Sequence, residues 1–421
     1  MIVNNIYHRK DYTNAFIVFL LILSGLLFQL IAGGQGSKTF TSLLYLSAFL
    51  YFLPKRDFRK IAFSSPMLVW IVLALYHSAN ALNKHVPDFD FPDVLLRMKI
   101  YCSIVIFAYL LAIDFKRTLK YIFYALATWL TIGLLHAGYH PGERLHGEGL
   151  IAVQFGKNAA VMGICGIYLA IFNYKQLIGV AIRLIYPMLF ILLSQTRQAL
   201  GMIAIQFAGF YIAFIMQLKI NFRSIVLCAI GIFFAYNGYT YLMDETGLGA
   251  RIQDDIEEAG LSELYSTGTF FDYIAGERIY YYVVGAEIFK EHALTGIGLQ
   301  NFKSYTGGNY PMHVEWLVHL AEGGIIAFVL YLTFLLLLFV TILRSNEIMP
   351  MKFMRYFTLC VILFSAFFAS SYGQEKPVIL YSIILSTMNF SAISTHASIN
   401  SIPKNEFTIL HFKKHRKAVT R

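Results

Sequence analysis

Charge is what this sequence lacks most. Only 14% of its 421 residues are Asp, Glu, Lys or Arg and 57% are hydrophobic, against roughly one quarter charged in soluble domains. With a mean hydropathy of +0.60, that balance excludes a soluble globular chain and makes this an integral membrane protein. Cysteine is scarce as well. Cys102, Cys165, Cys228 and Cys360 each fall inside an apolar run, far apart and without CxxC spacing, so each is expected to be a small buried hydrophobe. The short alternating segments that build a transmembrane barrel are missing. Internal repeats and low-complexity linkers are missing too, which makes 1–421 a single domain and argues against a transporter assembled from two related halves. There is no GxSxG elbow, which argues against an acyl-enzyme hydrolase.

In their place are apolar runs of about 17 to 25 residues, each long enough to cross a hydrocarbon core of roughly 30 Å as a helix. They predict about 12 spans: 14–33, 39–53, 62–82, 94–113, 121–136, 157–173, 177–194, 199–217, 224–242, 318–343, 356–371 and 377–394. The first is too long and too poorly flanked by small residues for a cleaved signal peptide. Cations mark alternate loops: Arg9 and Lys10, Lys55 to Lys60, Lys116 to Lys120, Lys175, Lys219 with Arg223, Arg344 to Arg355, and the basic tail. Cationic loops stay in the cytoplasm, so the N-terminus is expected inside. The net charge of +10 is then mostly a topology signal, and no nucleic-acid partner is implied. The expected fold class is an all-α polytopic membrane protein.

Two external regions interrupt the hairpins. Residues 136–157 hold His136, His140, His146 and Arg144; Pro141-Gly142 breaks the i, i+4 face used by helical zinc motifs, so no metal is expected. Residues 244–316, between the ninth and tenth spans, form a long polar loop with short helices. In it, Asp254 to Glu258 reads as the wet face of a surface helix. Ile279, Val283, Ala286 and Phe289 recur at helical spacing and predict an amphipathic helix along the membrane surface, with Arg278 in its first turn. Gly296-Ile297-Gly298 predicts a broken turn, and the loop closes on Met312-His313-Val314-Glu315 before Glu322-Gly323-Gly324 at the mouth of the tenth span.

Polar residues at span ends are suspects for function. Arg197 stands in Ser194-Gln195-Thr196-Arg197, the external turn between two long apolar runs; the competing reading is a snorkelling anchor. Arg97, Lys99, Arg144, Arg197 and Arg278 form a set of external cations drawn from separate parts of the chain. Guanidinium groups bind phosphate oxygens through two parallel hydrogen bonds, which points to a lipid diphosphate as ligand. His313 is the candidate base, since imidazole takes a proton near neutral pH. Glu315 or Glu322 would orient or tune it. The competing reading of His313 is a side chain packed beneath the loop.

These segments, taken in order, resemble the O-antigen ligase and Wzy-type O-antigen polymerase superfamily. The resemblance rests on Ser194-Gln195-Thr196-Arg197, Gly276-Glu277-Arg278, Gly296-Ile297-Gly298 with Asn301-Phe302, Met312-His313-Val314-Glu315, and Ala321-Glu322-Gly323-Gly324-Ile325, with a weaker match at Glu143-Arg144-Leu145-His146-Gly147. It implies a GT-C-like fold in the bacterial inner membrane. It also implies metal-independent, inverting transfer of a glycan, without cofactor, from an undecaprenyl-diphosphate carrier at the periplasmic face. The acceptor would be lipid A-core or a second lipid-linked glycan. Arg197, Arg278 and Arg144 would hold the diphosphate, His313 would act as base or position the acceptor, and Glu315, Glu322 and Gln195 would support them. Val314 stands where ligases often carry Asn, which leaves the acceptor open. The rival from a different class is a transporter or flippase of an anionic lipid or solute.

Overall fold

Apolar runs bounded by cationic turns fold as helices because no other open structure satisfies its own backbone in lipid. The computed structural model describes residues 16–24, 35–87, 89, 91–137, 152–172, 177–194, 196–217, 278–307, 312, 314–368 and 376–388. Residues 16–24 are helical. The helices that follow are α1 (Gln35–Phe52), α2 (Arg56–Ala62), α3 (Ser65–Asn83), α4 (Phe91–Ile113), α5 (Phe115–Ala137), α6 (Ala152–Phe172), α7 (Leu177–Ser194) and α8 (Arg197–Gln217). After the long loop come α9 (Arg278–Glu291), α10 (Phe302–Thr306), α11 (Glu315–Leu317), a π-helical turn Val318–Glu322, α12 (Gly324–Arg344), α13 (Met349–Phe368) and α14 (Lys376–Leu385). No strand occurs among the described residues.

Among the described residues 6 helices are long and apolar enough to cross a membrane, and the apolar stretches Thr39–Phe52, Ala181–Ser194 and Gln198–Ala213 are shorter. The protein is therefore a multi-pass membrane protein. The expected span at 224–242 and the acidic run Asp254 to Glu258 lie outside the described residues. The α1–α4, α3–α12, α6–α7 and α8–α13 pairs carry much of the packing. Ile325, Val329, Leu332, Leu336, Phe339 and Leu343 leave one stripe of α12 open to the outside, the apolar surface a lipid-facing helix needs.

Several boundaries differ from the hydropathy expectation, each for a local reason. α5 starts at Phe115 rather than 121 because Asp114 caps it, accepting from the Arg117 amide at 3.0 Å and pairing with the Arg117 guanidinium at 3.4 Å; a carboxylate at a helix start offsets the cations of the first turn. α13 starts at Met349 rather than 356 and carries Arg355 into the protein. There Arg355 pairs with Glu347 at 2.8 Å, donates to the Ile383 carbonyl and lies over the Phe115 ring at 4.3 Å. An expected cytoplasmic loop cation is thus a buried tie between α13, α14 and the start of α5. Cys102 and Cys165 are buried as expected, but Cys360 is exposed on the outer face of α13. The expected span 318–343 divides at Gly323, so that α12 proper begins at Gly324.

A second hydrophobic cluster lies apart from the bundle core. Ala81 and Val86 at the end of α3 pack with Tyr281 and Ile288 of α9, Ile297, Leu299, Phe302, Met312, Val314, Leu317 and Ala321. On α9 the packed face is Tyr281, Gly285 and Ile288, whereas Val283 and Ala286 are exposed. The helix is thus held to the protein by Tyr281, Gly285 and Ile288, and Val283 and Ala286 of the expected membrane-surface stripe stay outside that contact.

Candidate active site

The mouth of α12 is assembled from two short segments joined by main-chain bonds. The Ile297 amide donates to the Ala321 carbonyl at 3.1 Å and the Gly298 amide to the Glu322 carbonyl at 2.9 Å. Gly296 and Gly298 adopt φ of 67° and 98°, and a Cβ on Gly296 would collide with the Glu322 carbonyl, so the expected glycine-broken turn is present and cannot carry side chains at that contact. The Glu322 carboxylate then reaches over the turn. Its Oε2 accepts from the Gln300 amide at 2.9 Å and its Oε1 from the Phe302 amide at 3.2 Å. Gln300 has φ of 66°, a conformation that costs about 1 kcal/mol or more outside glycine, and the hydrogen bond its amide donates to Glu322 holds it there. Burial raises the Glu322 carboxyl to about 7, opposed by the two amides and by the Arg97 charge.

Behind Glu322 lies a buried polar layer that hydropathy conceals. Asn80 of α3 donates to the Thr295 carbonyl at 2.7 Å and to the Glu322 carbonyl at 3.3 Å; Tyr76 donates to the Gly323 carbonyl at 2.9 Å. His77 Nε2 meets His319 Nδ1 at 3.0 Å, so one ring donates and the other accepts. His319 also stacks on Tyr331 of α12, with centroids 4.2 Å apart. Burial, followed by the Arg97 charge, lowers His319 to about 3, which keeps its imidazole neutral. Glu315 is only 1% exposed, and its charge acts on the hydroxyls of Tyr331 and Tyr381.

The sequence reading missed His77, Asn80 and His319. Its signal was available in Tyr76-His77-Ser78-Ala79-Asn80, a polar run inside an apolar span, the pattern that marks functional positions in membranes. Arg97 and Lys99, expected among the external cations, are buried at 3% and 4% exposure. Arg97 acts on His319 and Glu322, and Lys99 donates to the Thr41 hydroxyl at 2.8 Å.

The remaining candidates gather at one end of the bundle. Arg197 is the first residue of α8, and Gln198 beside it donates to the Ser365 hydroxyl of α13 at 3.0 Å. Arg278 is the first residue of α9; one turn on, Tyr282 donates to the Phe367 carbonyl of α13 at 3.1 Å. Trp316, next to Glu315, sits 6.1 Å from the Phe367 ring. The starts of α8 and α9 and the Glu315–Glu322 turn thus share the C-terminal end of α13, although some 80 residues separate the two arginines in sequence. Ser194 and Thr196 are buried and bond to the Ile191 and Ser194 carbonyls at 2.9 and 3.2 Å, so the polar neighbours of Arg197 build the turn itself. Arg144, Gln195 and His313 lie outside the described residues; Met312 and Val314, on either side of His313, are buried in the second cluster.

A search of curated proteins finds no match to this chain. Residues 182–332 match the Wzy_C family model, described as O-antigen ligase. The matched stretch runs from α7 into α12, takes in the positions of Arg197, Arg278, Glu315 and Glu322, and supports the resemblance to the O-antigen ligase and O-antigen polymerase superfamily over those residues.

Proposed function

We propose that this protein transfers a glycan from an undecaprenyl-diphosphate carrier to an acceptor hydroxyl at the periplasmic face of the inner membrane, as an O-antigen ligase or polymerase. The observation that carries the reading is the convergence of the α8 start, the α9 start and the Glu315–Glu322 turn on one end of α13, within the stretch that matches the family. Alternating cationic loops put that end outside the cytoplasm. Residues 244–316 belong there as an insertion in the one membrane domain, which we read as GT-C-like.

In this reading Arg197 and Arg278, joined by Arg144, grip the carrier diphosphate, because planar guanidinium forks match phosphate oxygens. His313 removes the proton of the acceptor hydroxyl as that oxygen attacks the anomeric carbon from the face opposite the diphosphate, giving inversion without a metal ion. The arginines stabilise charge growing on the leaving diphosphate, the kind of preorganised electrostatic aid that dominates many transfer steps. Glu322 and Gln195 support the loops that present these groups.

The test is transfer in proteoliposomes with a lipid-linked glycan donor. His313→Gln should lower the rate on the order of 10² to 10⁴, the usual loss on removing a general base, with donor binding retained. Full activity of that variant would take the base role from His313. In cells, loss of all O-chain on deletion would indicate a ligase and a single repeat on the core a polymerase; normal O-chain would overturn both.

A further inference from the structure

The C-terminal end of α9 carries an aromatic patch with a polar rim that the transfer site does not use. Tyr305 of α10 is 45% exposed. Its hydroxyl donates to Glu291 Oε2 at 3.0 Å and meets His292 Nε2 at 3.1 Å, so the histidine donates from Nε2 and keeps Nδ1 as an acceptor. The His292 ring stands at 86° to the tyrosine ring, with centroids 5.6 Å apart. A large ring is thus fixed at the surface, which lowers the ordering cost of anything that binds to it. Asn301, one turn before Tyr305 and on the same face, donates through Nδ2 to the Ile297 carbonyl at 2.8 Å, which leaves Oδ1 as a further acceptor. The patch is tied to the mouth of α12: the Ile325 amide donates to the Ala293 carbonyl at 2.8 Å, and the Phe302 amide, three residues before Tyr305, donates to Glu322. With Tyr282 near its start bonded to the end of α13, α9 lies across the end of the bundle. It has 14 residues, about 20 Å of helix.

We propose that Tyr305, Glu291, His292 and Asn301 form a saccharide subsite that holds a sugar ring remote from the reacting one, on the glycan of the donor or of the acceptor. The remoteness rests on the glycan-transfer reading; the saccharide site does not. A pyranose presents polarised C–H bonds on its face and hydroxyls around its rim. The face of an aromatic ring is negative, so the C–H face settles on Tyr305. The rim hydroxyls then donate to Glu291 Oε1, His292 Nδ1 and Asn301 Oδ1, and the bond to the carboxylate is of the stronger, charge-assisted kind. A polyprenyl tail fits poorly here, because it would desolvate the carboxylate and imidazole without bonding them, and a phosphate would be repelled by Glu291. With the diphosphate at Arg278, on the first residue of α9, a ring on Tyr305 lies about the length of that helix away, several sugars along the chain. A long glycan therefore gains a contact that a short one cannot reach, and such remote binding energy can be used at the reacting centre.

Saturation-transfer-difference NMR titrations of the full chain in lipid nanodiscs test the site without using transfer. The probes are the glycan released by mild acid from the lipid-linked donor and the core oligosaccharide released from lipopolysaccharide of the same cells. The parent should bind one of them, and Tyr305→Ala should weaken that binding about fivefold or more, near the worth of an aromatic contact; the probe that binds names the glycan. Binding of neither probe, or equal binding by the Ala variant, overturns the subsite. Tyr305→Phe breaks the bonds to Glu291 and His292 but keeps the ring, so it should bind nearer to the parent than the Ala variant does. A Phe variant as weak as Ala would reduce Tyr305 to a tie between α9 and α10 and overturn the stacking role. In proteoliposomes Tyr305→Ala should raise KM several-fold more for a substrate with several repeats than for one cut to its first sugar; an equal effect on both overturns the remote placement. A parent protein that binds the glycan and transfers none would sink the transfer reading and leave the saccharide site standing.

Discussion

Replacing Glu322 by Ala tests whether its carboxylate organises the loop. The change leaves the Gln300 and Phe302 amides without their acceptors at 2.9 and 3.2 Å. Phe302 is 1% exposed, so its orphaned amide should cost about 2 kcal/mol, while the more accessible Gln300 amide recovers part of its bond from water and costs about 1 kcal/mol. The sum, about 3 kcal/mol, corresponds to roughly 10²-fold in a local opening equilibrium. Hydrogen exchange measured by mass spectrometry on peptides covering 296–307 should show that loss of protection, while peptides from α4 and α6 keep theirs. Gln300 also gives up the contact that holds its positive φ, so the segment should relax as a unit. Protection of 296–307 equal to the parent would refute the reasoning, because it would mean the amides have other acceptors and Glu322 does not organise the turn.

Burial raises Glu322 from its ordinary 4.5 to about 7, so its contribution to stability is full below about 4.5 and is lost as pH rises through about 7, worth roughly 3 kcal/mol across that window. Thermal unfolding in nanodiscs should show that slope, and Glu322→Gln should flatten it; a parent curve already flat there would contradict the shift. Glu347→Gln leaves the Arg355 charge, 2% exposed, without its carboxylate and should destabilise by about 3 kcal/mol, near the cost of breaking a buried pair, measured as a fall in Tm with little change in transfer by the surviving folded protein. Arg197→Lys and Arg278→Lys keep charge but lose the planar fork, so each should raise KM for the lipid diphosphate donor several-fold, and wild-type kinetics in both would remove bidentate phosphate binding from their roles.

Much of the bundle was legible because hydropathy reports burial in lipid directly: α3, α4, α7 and α8 fall where their apolar runs predict. Cation placement misled at Arg355, whose charge is paired by Glu347 inside the protein, and did not reveal that Arg97 and Lys99 are buried, since a sequence shows the charge and not its surroundings. Glu322 was recognisable as a candidate, but its work on Gln300 and Phe302 depends on a contact made across some 20 residues. On α9, Val283 and Ala286 satisfy helical periodicity as well as Tyr281, Gly285 and Ile288 do, so the sequence does not say which set meets the rest of the protein. Only the partner surface decides between them.

The π-helical turn Val318–Glu322 also sets the angular phase of everything before it. A π turn is an α-helix carrying one extra residue, and each residue of an α-helix advances the chain by about 100° around its axis. Deleting one residue such as Leu320 would rotate everything before it, so Glu315 and Trp316 would swing by about that angle relative to Glu322, while α12 beyond the left-handed Gly324 would stay in place. The surplus residue therefore works as a spacer that sets which way the Glu315 end of the turn faces, ahead of the break at Gly323 and Gly324. A chain shortened by that single residue would keep its hydropathy profile nearly unchanged and still point its carboxylate the wrong way.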